Sequence, residues 1–142
     1  MIKFFNKEEE ERIIQAIQSA ELNTSGEIRV HIEADAEGDI LDLAAKTFHR
    51  LGMHETKARN GVMIFLAPER KEFAIIGDQG INEVVSENFW DTERDLMQAQ
   101  FRTGQFCEGI CLAIQQVGAK LKHFFPYQSD DENELPDDIS YN

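Results

Sequence analysis

The side chains best suited to chemistry in this sequence are oxygen-bearing residues at the ends of its apolar runs. Asp78 stands within Gly77-Asp78-Gln79-Gly80, where glycines let backbone approach a ligand closely. Arg59-Asn60 leads directly into the run Gly61 to Ala67, and Glu27 opens an alternating segment. Calcium takes six to eight oxygens from carboxylates, amides and carbonyls. Asp78, Asn60 and Glu27, with Glu83 or Glu87 reaching from the next helix, are therefore a candidate metal set. Arg59, Gly77 and Gly80 are candidates for contact with a bound ligand. Each has an ordinary structural alternative. Asp78 and Asn60 suit caps or turns, Glu27 suits a solvent-facing strand end, and Arg59 either pairs with Asp78 or holds an anion.

A rival cluster lies in Asp35-Ala36-Glu37-Gly38-Asp39, flanked by Glu33 and by Glu69 and Arg70 further on. Loops at the carboxyl ends of parallel strands are where ligands usually bind. The segment lacks the twelve-residue EF-hand pattern. Its alternative is a solvated acidic loop with Asp39 capping a helix.

Other constellations fail. His31, His49, His54 and His123 show no zinc-ligand spacing, and His31 alternates outward on a strand, which predicts a surface position. Cys107 and Cys111 stand four apart on one helical face, where a disulfide is strained, and they read as buried thiols of a reducing compartment. The sequence holds no G-x-S-x-G, Walker lysine or G-x-G-x-x-G motif. Phosphate hydrolysis by such a chain needs a metal to screen like charges, and no nucleophile or general acid stands out.

These residues must be placed by a small set of elements. Asn6 caps a first helix over Lys7 to Ala20 with a stripe of Ile13, Ile14 and Ile17. Glu27 to Glu33 alternates as a half-buried strand, and a second helix runs from about Asp39 to Leu51 on Ile40, Leu43, Ala44 and Phe48. Gly61 to Ala67 is continuously apolar, as expected of a strand covered on both faces. Pro68 to Lys71 turns it into a third strand, Glu72 to Ile76. A short helix over Ile81 to Glu87, a core pair Phe89-Trp90, a helix from Asp91 to Phe101 and a last helix from Gln105 to Phe124 complete the folded part. Strand, helix, strand predicts a parallel first pair with a right-handed crossover, and the hairpin adds the third strand antiparallel. The expected architecture is a three-layer α/β/α sandwich around a small mixed β-sheet.

Of 142 residues, 27 are acidic and 14 basic, a formal net charge of -13. This balance argues against nucleic acid and anionic lipid as partners. Six acids and no base fall between Ser129 and Asn142, leaving 21 acids against 14 bases, a net of -7, for the rest. The organisation expected is one domain over 1–127 and an acidic, disordered tail over 128–142. Met1 to Glu11 does not read as a signal peptide, and no window approaches the roughly 20 apolar residues of a membrane helix. The expected location is the cytoplasm.

Several of these segments resemble one family. Ser25 to Ile32, Arg59-Asn60-Gly61-Val62, Gly77 to Glu83, Phe89-Trp90, Phe101 to Phe106 and Gly109-Ile110 together resemble the TPM domain, in order and over roughly residues 8 to 126. The resemblance implies the same α/β/α sandwich. In that family the domain often sits beside a membrane segment or in a thylakoid lumen, so this chain looks like a free-standing version. Family members are linked to divalent cations, usually calcium, and to weak acid phosphatase activity. The leading expectation is a calcium-binding module with a scaffold or interaction role. The alternatives are a metal-dependent phosphatase of low activity and a metal-free domain that binds a protein partner.

Overall fold

The computed structural model describes residues 4–127 and 137–142. Helix α1, Lys7–Glu21, starts on a capping box: Glu9 N–H donates to Asn6 Oδ1 at 2.8 Å while Asn6 N–H donates back to the Glu9 carboxylate at 3.0 Å. Strand β1, Glu27–Ile32, follows, then α2, Ile40–Arg50, with Asp39 as its N-cap. After a 3-10 turn at Met53–Glu55 come β2, Gly61–Ala67, and β3, Glu72–Gly77. Short α3, Gln79–Asn82, precedes α4, Asp91–Arg102, and α5, Phe106–Phe124. Strand β4, Ser140–Tyr141, ends the order.

The sheet order is β3-β2-β1-β4. β1 and β2 are parallel with Glu27 opposite Gly61, and β3 runs antiparallel to β2 with Gly77 opposite Val62. Both expectations from the sequence hold. One face, carrying Ile28, Val30, Ile32, Val62, Ile64, Leu66 and Ile75, packs under α1, α4 and α5. The other, with Met63, Phe65, Ala67 and Ala74, packs under α2 and Met53. The protein is thus an α/β/α sandwich. Every residue of β2 is buried because helices cover both faces of a central strand, which is why its sequence is unbroken apolar.

Gly118 lets α5 lie directly on α1: a Cβ there would stand 2.7 Å from Ala20 Cβ. Buried Glu93 pairs with Lys120 Nζ at 2.8 Å, joining α4 to α5, and the ammonium sits 4.7 Å over the Phe89 ring. Trp90 is core, as the sequence implied.

Three expectations change. The helix predicted over 81–87 is confined to α3, and turns occupy most of 83–90. The chain end does not conform to a disordered tail. Residues 128–136 lie outside the described residues, but 137–142 form a strap along β1. Ser140 pairs with His31 and Tyr141 with Ile32 in parallel, and Ile139 is buried in the core. Acidic composition hid one aliphatic and one aromatic anchor at its end. Finally, His31 is fully buried rather than on the surface. Arg29, on the same face of β1, stays partly exposed, whereas His31 is enclosed by Ser140 of β4, Glu33 and the Phe65 ring.

Candidate cation site

The amino ends of β1 and β2 and the carboxyl end of β3 meet at one end of the sheet, bringing Glu27, Asn60 and Asp78 to the same edge. On the β3 side the Asp78 carboxylate is fully engaged. Arg59 Nε donates to Oδ2 at 2.7 Å, Arg59 Nη2 to Oδ1 at 2.9 Å, and Gln79 N–H to Oδ1 at 2.8 Å. Asp78 therefore caps α3 and holds Arg59 as a bidentate partner. Arg59 reaches this geometry with a left-handed backbone, φ 51°. The loop carrying it crosses the start of α3 at backbone contact: Gly80 N–H donates to Arg59 O at 2.8 Å, and a Cβ on Gly80 would meet Ala58 O at 2.1 Å. Gly77 is buried, and its carbonyl accepts from Asn82 Nδ2 at 3.1 Å. Glu83 is exposed and accepts from Gln79. A cation at Asp78 would have to displace Arg59.

In the middle of the edge Asn60 is buried. Its backbone carbonyl accepts from Glu27 N–H at 3.4 Å and its Nδ2 donates to Ser25 Oγ at 3.3 Å, while Oδ1 has no hydrogen-bond partner. A buried amide oxygen without a donor is costly.

The β1 side is built from like charges. Glu21, from the last turn of α1, bonds to Asp137 of the strap and to Glu27, and it accepts Ile28 N–H at 3.0 Å. Glu27 is buried, with a relative exposure of 3%. Burial, then the hydrogen bond to Asp137 and with it that to Glu27, pushes the Glu21 carboxyl up to about 10. Glu21 thus carries a proton at neutral pH and shares it within the cluster. Arg29, its basicity lowered by burial, has Asp138 as the opposing charge. Sequence reading found Glu27 and missed Glu21 and Asp137. Glu21 sits at the end of a helix, and Asp137 was hidden among the acids of the tail. No spacing rule links residues 21, 27 and 137.

The rival cluster does not close. Asp35, Glu37 and Asp39 are exposed, Asp39 caps α2 through Asp42 N–H at 3.1 Å, and Gly38 O accepts from Arg70 at 2.7 Å. Cys107 and Cys111 are free, and burial raises both thiols, Cys111 to about 12. Among the described residues, no three His, Cys, Asp or Glu side chains are grouped as a set that could hold a metal ion as they stand. No helix among them is long and apolar enough to cross a membrane.

Fold and edge together define a three-layer α/β/α domain on a mixed four-stranded sheet, with carboxyls gathered at one sheet end. The chain belongs to the TPM domain family, whose profile matches residues 2–120. It is similar to the BA42 protein of the psychrophilic bacterium Bizionia argentinensis, whose NMR structure superposes with a TM-score of 0.94 at 48% identity, covering 100% of this chain and 98% of that one. The N-terminal domain of a P. gingivalis protein, also solved by NMR, shares the fold alone: TM-score 0.70, 17% identity, 87% of this chain and 82% of that one. No curated protein matches the sequence.

Proposed function

We propose that this protein is a divalent-cation-binding α/β module, with calcium the ion expected, acting as a scaffold rather than through a nucleophile of its own. The ligands proposed are the carboxylates of Glu21, Glu27 and Asp137, with the Asn60 amide oxygen, on the same end of the sheet, as a further candidate. The observation carrying this reading is that carboxyls from three separate segments, the end of α1, the start of β1 and the strap, hydrogen-bond one another through Glu21. Like charges this close cannot all ionise unless a cation joins them. Hard cations take deprotonated carboxylates together with amide and backbone oxygens. The cluster is closed around its proton, and an entering cation takes that proton's place.

The reading is tested by adding calcium to metal-free protein in weak buffer at pH 7, following released protons and amide NMR shifts together. Saturable shifts centred on Glu21, Glu27, Ile28 and Asp137 are expected, with about one proton released per ion. Glu21→Gln should weaken binding roughly tenfold or more and abolish the proton release. Shifts centred on Asp35 to Asp39 or on Asp78, or no saturable shift at millimolar calcium, would overturn it.

A further inference from the structure

The strap 137–142 is held by a short ladder and mostly polar side-chain bonds. Its pairing with β1 has two residues, extended by Ala34 N–H to Asn142 O at 2.8 Å and Asn142 N–H to Ile32 O at 2.9 Å. Each side chain is read by a named group. Ile139 fills a place in the core, Ser140 Oγ meets His31 Nδ1 at 2.7 Å, the Tyr141 hydroxyl donates to Glu10, and Asn142 Nδ2 donates to Glu33 at 2.8 Å. His31 is pinned for this task between Glu33 at 2.8 Å and the Phe65 ring, with which it stacks. The β1 edge is therefore a strand-acceptor groove with side-chain selectivity, and its resident occupant is the chain's own end.

The connection to that occupant is long for the gap it closes. Pro126 bridges to Thr24, and Ser25 N–H donates to Phe125 O at 2.9 Å, so α5 hands the chain over beside the turn between α1 and β1. Asp137 re-enters at Glu21, at the start of that same turn. Residues 128–136 join two points on one turn, although nine residues can reach about 30 Å when extended. That surplus lets the strap reach the β1 edge of another molecule while the body of its own domain stays intact.

We infer that the β1 edge accepts residues 137–142 of a second copy of this chain, giving a strand-exchanged dimer in which every strap interaction is remade between molecules. Exchange of an identical element is a low-cost route to a dimer, because bonds broken within one molecule form again between the two. The tethered strap competes as an effective concentration on the order of millimolar, so exchange needs protein near that level. Two chains of net charge -13 repel, so salt favours the dimer. Asp137 travels with the strap, so the Glu21–Glu27–Asp137 cluster is remade between molecules as well, and the exchange itself needs no bound cation.

The test uses the full chain. An equal mixture of ¹⁵N-labelled and unlabelled protein is unfolded and refolded together at about millimolar concentration in high salt, then separated by size with light scattering. A dimer is expected whose β1 amide shifts match the monomer, with isotope-filtered contacts between His31 or Ile32 of one molecule and Ser140 or Tyr141 of the other. Ile139→Asp should cut the dimer fraction roughly tenfold or more by putting a charge into the core. If that variant does not fold, Ser140→Ala, which removes the His31 bond from monomer and exchanged dimer alike, should leave the dimer fraction unchanged; a dimer lost with that bond alone would overturn the exchange. Monomer alone across the concentration range, or a dimer whose strap pairing is all within one molecule, overturns the inference.

Discussion

At the β3 side of the sheet end Asp78 meets Arg59; two strands away, Glu21 and Glu27 meet Asp137. Both places bury carboxylates where strand ends converge. At the first, a guanidinium and a helix amide engage both oxygens, and the result is a structural latch. At the second, carboxyl meets carboxyl, and a proton holds them together. On the proposed reading, the carboxyls at the second place exchange their proton for a cation, whereas at the first a bidentate arginine must be removed before any cation enters.

The comparison is broken most severely at the latch. Gly80→Ala places a Cβ 2.1 Å from Ala58 O, and backbone cannot yield there as a side-chain tip would. A loss of about 4 kcal/mol or more is expected, read from the urea midpoint. Asp78→Ala is milder. It removes the α3 cap and the Arg59 partner together, and the half-exposed guanidinium can turn to solvent. A loss of about 1–2 kcal/mol is expected, with calcium affinity unchanged in a titration of the same variant.

The smallest effect sharpens the other side. Because the folded Glu21 carboxyl titrates near 10 against an ordinary 4.5, its contribution to stability is fully present below pH 4.5 and is lost as pH rises toward 10. Glu21→Gln keeps a hydrogen-bonding group and removes the titration. Urea midpoints taken at pH 5, 7 and 9 should therefore fall less with pH in the variant than in the parent. Parallel slopes would show that the cluster does not hold its proton at Glu21.

Much of this was legible from the chain alone, for identifiable reasons. The period-2 run at Ile28, Val30 and Ile32 defined the strand face that packs under α1 and α5, and the unbroken run Gly61 to Ala67 announced a strand buried on both sides. Asn6 and Asp39 were readable as caps because capping is a local side-chain-to-backbone bond. The convergence of Glu27, Asn60 and Asp78 followed from parallel pairing plus a hairpin. Their division of labour was left open by the sequence, where Asp78 as a cap paired with Arg59 stood beside Asp78 as a ligand, and the structure places the first.

The sequence by itself determined most of the elements, the directions of the first three strands and the edge where polar residues meet, because hydrophobic period and turn chemistry act over short stretches of chain. Only the tertiary structure decided that residues 137–142 return to cover β1, that His31 is buried beneath that return, and that Glu21, Glu27 and Asp137 share one place. The return joins residues as far apart in sequence as His31 and Ser140. Its energy comes from burial and from charges brought together in space, which no local pattern along the chain records.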